Sequence, residues 1–224
     1  MQLLSGKPAP SALIIDLDGT LIDTQGDFVA ALNLMLDDLR LPHVDGAFVS
    51  HTVGKGSEHL VAQTLRHCCA DAARFELAMQ RYQRHYLAIN GRFAQVYPGA
   101  LEGLQRFADM GLAMACLTNK PTDFALPLLA NKGLSRFFSH VFGGDAFLRK
   151  KPDPLPLLKT CEALGTAPAQ TWMIGDSSND AQAARAAGCP VVLVSYGYNH
   201  GRPIREVDAD ADAFVDRLDE LNWS

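Results

Sequence analysis

Residues 12–20 read Ala-Leu-Ile-Ile-Asp-Leu-Asp-Gly-Thr. Four apolar residues run without alternation into Asp16, and Gly19 and Thr20 follow as turn formers. A short unbroken apolar run that stops at turn residues is the pattern of a parallel strand buried on both faces. A strand is therefore expected over 12–17, ending at the two carboxylates of Asp16 and Asp18.

Similar runs recur downstream: LAMACL at 112–117, TWMI at 171–174, PVVLV at 190–194 and a weaker one at 140–142. Helical spacing fills the gaps, over 99–110 with Leu101, Leu104 and Phe107 on one face, then over 122–132, 154–164 and 179–187. Gly165 and Gly188 read as C-terminal helix stops. Strands alternating with helices imply an α/β fold, a doubly wound parallel sheet of Rossmann-like type.

Residues 23–90 break the alternation. Segments 27–39, 58–67 and 71–89 are helix-like, 41–46 and 53–57 read as loops, and no good strand is present. The expected organisation is a core built from 1–22 and 91–224 with a helical cap inserted at 23–90. Gly91 and the Tyr97-Pro98-Gly99 turn mark the return to the core, and residues 1–10 read as a loose lead-in.

Composition narrows the partners. The chain has 224 residues, a net charge of −5 and no Lys/Arg run, which argues against nucleic acid and anionic membrane surfaces. The first apolar run stops at Asp16, far short of the ~20 residues of a membrane helix, so a cytoplasmic location is expected. The five cysteines, odd in number and without C-x-x-C spacing, are expected to be reduced and buried. Five histidines (His43, His51, His59, His67, His85) fall in or beside the insertion, but the His59/His67 pair is eight apart and does not suit metal ligation.

In an open parallel sheet, ligands bind at the carboxyl edge of the strands. Polar clusters lie there: Asp16-Leu17-Asp18-Gly19-Thr20, Thr118-Asn119-Lys120, Lys150-Lys151-Pro152-Asp153-Pro154 and Gly175-Asp176-Ser177-Ser178-Asn179-Asp180. Any one alone reads as a turn or helix cap; four on one sheet read as a site. Asp16, Asp18 and Asp176 bring three carboxylates together, whose repulsion calls for a cation. An all-oxygen site with room for waters suits Mg²⁺. Lys151 and the Thr118/Asn119 pair add donors, and metal plus donors make a cradle for a phosphoryl group. A carboxylate can attack phosphorus, and a second one can carry the protons.

In this order DLDGTLIDT, LTNKP, KKPDP and IGDSSND resemble the four motifs of the haloacid dehalogenase superfamily, and the insertion resembles its helical cap. The resemblance implies Asp16 as nucleophile and Asp18 as general acid/base. It implies Thr118 and Asn119 as holders of the phosphoryl oxygens. Lys151, directly before the proline, is preferred over Lys150 for orienting Asp16 and neutralising phosphate charge. Mg²⁺ would take the side chains of Asp16 and Asp176 and the backbone carbonyl of Asp18, with Asp180 supporting the metal from behind. Within the superfamily, LTNKPTDFALPLL, KKPDPLPLL, GDSSNDAQAARAAG and SYGYNHGRPI are similar to bacterial phosphoglycolate phosphatases. That implies hydrolysis of a small phosphorylated metabolite, 2-phosphoglycolate. The alternatives are another small phosphomonoesterase, a phosphosugar mutase, a phosphonate hydrolase, or a binding module without turnover.

The cap stretch Val53-Gly54-Lys55-Gly56-Ser57 sits where such caps carry a substrate-specificity loop. Glycines at Gly54 and Gly56 let backbone approach a ligand, and Lys55 is the one lysine between Asp23 and Asn90. Residues 196–201 (Tyr-Gly-Tyr-Asn-His-Gly) read as a core loop near the site, mainly structural.

Overall fold

The computed structural model describes residues 2–3, 9–207 and 211–223. Six strands form one parallel sheet. In chain order they are β2 (Ala12–Ile15), β5 (Ala113–Leu117), β6 (His140–Phe142), β7 (Thr171–Gly175), β8 (Val191–Val194) and β9 (Ala213–Val215). Their spatial order is β6-β5-β2-β7-β8-β9. β2 lies at the centre, and its residues point alternately to two apolar layers. Leu13 and Ile15 pack with Leu104, Phe107 and Trp172, while Ile14 packs with Leu157, Met173 and Ala184. Burial on both faces is why the sequence shows a continuous apolar run.

Register places the site. Ile15 lies beside Cys116 on β5 and Ile174 on β7. Neighbouring strands are only ~4.8 Å apart, so Asp16, Thr118 and Asp176 leave adjacent strands on one edge. Helices α5 (Ala100–Asp109), α6 (Thr122–Asn131), α7 (Leu155–Leu164) and α8 (Ser178–Ala187) follow the strands, and α9 (Ile204–Val207) is a single short turn. Gly165 and Gly188 end α7 and α8 in the left-handed conformation, as expected.

Three differences from the sequence reading have physical causes. β9 has only three residues between Asp212 and Asp216, too few to show a period. In the lead-in, residues 1 and 4–8 lie outside the described residues, but β1 (Gln2–Leu3) is a strand, paired in parallel with β10 (Leu221–Asn222). The thiols are free, but Cys69 is exposed and Cys68 half-buried; only Cys116, Cys161 and Cys189 are buried. No helix among the described residues is long and apolar enough to cross a membrane.

Residues between Asp23 and Gln95 fold as α1 (Gln25–Leu39), α2 (Gly46–Thr52), α3 (Ser57–His67) and α4 (Phe75–Ile89). They enclose their own apolar cluster, with Leu32, Met35, Leu60, Val61, Tyr82 and Tyr86 at its centre. α2 was not expected; it is short, and Asp45 starts it by accepting from the Phe48 N–H. The stretch expected as one helix from 71 begins instead with a 3₁₀ turn at Ala72–Arg74.

Entry and exit of this helical layer are tied together. β3 (Ile22–Asp23) pairs antiparallel with β4 (Gln95–Val96). The carboxylate of Asp27 is wholly buried and accepts from the N–H groups of Gly91 at 2.6 Å and Phe93 at 2.7 Å. Asp27→Ala removes the acceptor of both part-buried hydrogen bonds and is expected to lower the unfolding free energy by about 1–3 kcal/mol. Urea denaturation checks this; a change below about 0.5 kcal/mol contradicts the role given to Asp27.

Candidate active site

Asp16 stands at the end of β2 and is buried, 7% exposed as a residue. Lys151 Nζ lies 2.8 Å from its Oδ1 and 2.7 Å from Asp180 Oδ1, and donates to the Leu117 carbonyl at 2.8 Å. Asp16 Oδ1 is buried, and the ammonium is the charge that answers it.

Asp176 follows β7. Its Oδ2 accepts from the Tyr198 N–H at 2.7 Å, and Thr20 Oγ1 lies 3.4 Å from its Oδ1. Asp180 is in the first turn of α8 and forms a capping box with Ser177. Its Oδ2 accepts from the Ser177 N–H at 3.1 Å and the Ser177 hydroxyl at 2.8 Å. Both Asp180 oxygens are therefore engaged, one by Lys151 and one by the helix start. Glycine makes this crowding possible: a Cβ on Gly19, which has φ +84°, or on Gly197 would run into the Asp176 carboxylate.

Asp16, Asp176 and Asp180 offer oxygens within 4.8 Å of one another, the one such cluster of three or more ligating groups among the described residues. Three carboxylates face one ammonium. Burial, then repulsion from Asp180, pushes the Asp16 carboxyl up to about 7 against the pull of Lys151. Burial, with Asp180 and Asp16 next, drives the Asp176 carboxyl far above its usual range. Burial presses the Lys151 ammonium down, but Asp16 and Asp180 outweigh it and hold it above its ordinary value. An all-oxygen donor set with excess negative charge fits a divalent metal ion.

Asp18 points away from that cluster. Its Oδ1 accepts from Thr24 Oγ1 at 2.8 Å and from Lys120 Nζ at 2.9 Å, and Oδ2 lies 3.2 Å from the same ammonium. Thr118 Oγ1 accepts from the Lys120 N–H at 3.2 Å. The Asn119 side chain is spent on scaffolding. Its Nδ2 donates to the carbonyls of Gly54 and Lys151, both at 2.9 Å, and its Oδ1 accepts from the Lys151 N–H. Only its backbone is left to meet a ligand.

The Gly54 carbonyl also accepts from Asn179 Nδ2 at 3.2 Å, so two amides at the sheet edge hold the cap loop down. Gly54, Gly56, Ser57 and Leu60 line one cavity together with the carboxylates. Lys55 is exposed and does not line it. Lys150 is outside too; it pairs with Glu58 of α3 at 2.8 Å.

Sequence reasoning gave no role to Lys120, Thr24 or Tyr198. Lys120 stood inside a quoted cluster, but its partners come from distant helices. Tyr198 lies in the loop read as structural; its N–H holds Asp176, and its hydroxyl accepts from the Thr24 and Gln25 N–H groups. Ser177-x-x-Asp180 carries the capping-box spacing and was legible as such.

A parallel sheet with clustered carboxylates at its edge and a helical layer over them is the architecture of a capped α/β hydrolase. The model of the haloacid dehalogenase-like hydrolase family matches residues 13–194, and the chain belongs to that family. A phosphoglycolate phosphatase of Thiobacillus denitrificans is 47% identical over 91% of this chain and 92% of its own. One carried on a plasmid of Cupriavidus necator is 42% identical over 94% and 91%. A crystal structure of a predicted phosphoglycolate phosphatase from Haemophilus somnus superposes with a TM-score of 0.90 at 30% identity, over 96% of this chain and 97% of that one. The resemblance read from the four motifs is borne out.

Proposed function

We propose that the protein hydrolyses a small phosphomonoester through an aspartyl phosphate on Asp16, with Mg²⁺ as cofactor and 2-phosphoglycolate as substrate. One observation carries the chemistry. Asp16 lies among Lys151, Thr118 and the Asp176 cluster, and Asp18, two residues on, lies across the same cavity. The substrate follows from the relatives named phosphoglycolate phosphatase at 42–47% identity over nine-tenths of the chain.

In this reading an Asp16 oxygen attacks phosphorus, and the bond to the bridging oxygen breaks. Asp18 gives that oxygen its proton, so that the alcohol departs and Asp18 is left as a carboxylate. The same carboxylate then takes a proton from the water that attacks the phosphoaspartate, releasing phosphate and free Asp16. Lys151 and the Thr118 hydroxyl, with the Asn119 N–H, face the equatorial oxygens where charge gathers. Mg²⁺, held by the Asp16 and Asp176 side chains and the Asp18 carbonyl, supplies charge neutralisation when bound. Asp180, with both oxygens engaged, holds Lys151 and the start of α8 in place. Residues 54–56 meet the organic part of the substrate through the backbone at Gly54 and Gly56.

Phosphate release from 2-phosphoglycolate with Mg²⁺ tests the proposal, beside a panel of other small phosphomonoesters. EDTA is expected to stop turnover and added Mg²⁺ to restore it, while Ca²⁺, with longer and looser coordination, restores little. Asp176→Ala is expected to raise the Mg²⁺ concentration needed for half-maximal activity by about 100-fold or more, as loss of one carboxylate ligand implies. Full activity in metal-free enzyme sinks the cofactor assignment.

A further inference from the structure

The Lys120 ammonium is a buried charge of the site, with its side chain 1% exposed. It belongs to the loop after β5, but most of what surrounds it comes from elsewhere. Both Asp18 oxygens lie within 3.2 Å. The Tyr86 hydroxyl of α4 accepts from it at 2.6 Å. It also stands 4.6 Å from the ring centre of Phe28, on α1, and 4.7 Å from that of Tyr86. The two rings touch each other, at 5.4 Å between centres.

A buried ammonium is costly unless every face of it is answered. Here the sheet edge supplies only Asp18. The helical layer supplies the Tyr86 hydroxyl and the ring of Phe28, a cation–π contact being worth more once water is excluded. If that layer lifts away, the ammonium loses those partners together and water takes their place. Thr24, just ahead of α1, donates to the same carboxylate at 2.8 Å.

We propose that Lys120 is a positioning residue that couples the seating of the helical cap to Asp18. With Phe28 and Tyr86 packed on it, the ammonium fixes the Asp18 carboxyl at the leaving oxygen; with them withdrawn, that placement is lost. The inference rests on the reading of Asp18 as acid/base, and it goes beyond that reading by naming what aims it. Misplacement of a reacting group by about 1 Å is enough to cost roughly 10²-fold.

The test uses leaving groups, because only a poor one needs the proton. kcat/KM is measured for 2-phosphoglycolate, for ethyl phosphate, which has no carboxylate, and for p-nitrophenyl phosphate, whose phenolate departs unprotonated. Asp18→Asn is the reference, with losses of about 100-fold on both alkyl substrates and under about tenfold on the aryl one. Lys120→Met is expected to show the same selectivity. Tyr86→Phe and Phe28→Leu, which leave Lys120 in place, are expected to show it at about three- to tenfold.

Equal losses on all three substrates overturn the inference, since the cluster then serves folding or closure in general. A loss confined to 2-phosphoglycolate also overturns it and makes Lys120 the partner of the substrate carboxylate. If Lys120→Met does not fold, the Tyr86 and Phe28 variants decide by the same criterion. If Asp18→Asn itself shows no dependence on leaving group, the acid/base reading falls, and this inference falls with it. If Asp18→Asn shows the dependence and the other variants do not, only the coupling is wrong.

Discussion

Asp16→Asn is expected to lower kcat by at least about 10⁴-fold on every phosphomonoester, because an amide cannot attack phosphorus and nothing else in the cavity replaces it. Asp18 points to Lys120 and Thr24, and Asp180 is committed to Lys151 and the start of α8. Steady-state phosphate release by a variant checked for deamidation is the measurement, and residual turnover within about 100-fold of wild type rules out Asp16 as nucleophile.

The same substitution has a second, opposite consequence. Without metal, burial foremost and then Asp180 hold the folded Asp16 carboxyl at about 7, above its ordinary 3.8. A carboxyl raised in the folded state contributes stability that is fully present below its unfolded value. That stability is lost as pH rises through the folded value. Asparagine has no such dependence. In EDTA the variant is therefore expected to melt at about the wild-type temperature near pH 4 and above it beyond pH 7. With saturating Mg²⁺ the order reverses, because only the wild type has the full ligand set to be stabilised by binding. A difference in Tm that does not vary with pH contradicts the burial of an ionised Asp16.

The catalytic edge was legible because its signals are local. β2, β5 and β7 are short and buried on both faces, so their apolar runs and the polar residues that end them stand out in the sequence. The partners that position those residues are not local. Lys120 meets Asp18 across 102 positions and Tyr86 across 34. Nothing in the spacing of α1 or α4 separates Phe28 and Tyr86 from other apolar residues on their inner faces. Asp27 reads as an ordinary acidic residue in a first helical turn, yet it clamps Gly91 and Phe93. Lys55 shows how little local reading says of where a side chain points. A lone lysine between two glycines in a substrate-facing loop invites a role, and here its side chain is exposed while the flanking backbone faces the cavity.

The adjacent lysines 150 and 151 separate a buried charge beside Asp16 from a surface one. Lys151→Ala is expected to lower kcat/KM by about 10³-fold or more on alkyl and aryl phosphates alike. It removes the ammonium that the proposed mechanism sets against the shared phosphoryl group, and it leaves Asp16 and Asp180 to repel each other. One lost charge-stabilising donor costs roughly 10²–10³-fold on its own, and the broken buried pair adds to it. Lys150 is 30% exposed at its side chain and pairs with Glu58 at 58%. Such a pair is worth about 0–1 kcal/mol, further screened by salt, so Lys150→Ala is expected to change kcat/KM by less than about threefold. Circular dichroism in Mg²⁺ checks that the Lys151 variant is folded. The loss should then appear mainly in kcat, since the charge that Lys151 meets grows as the phosphoryl group is transferred. Comparable losses in the two variants would mean that the cap's ion pair to Glu58, and not the buried ammonium, limits turnover. A Lys151 loss seen on 2-phosphoglycolate but not on p-nitrophenyl phosphate would place that lysine at the organic end of the substrate.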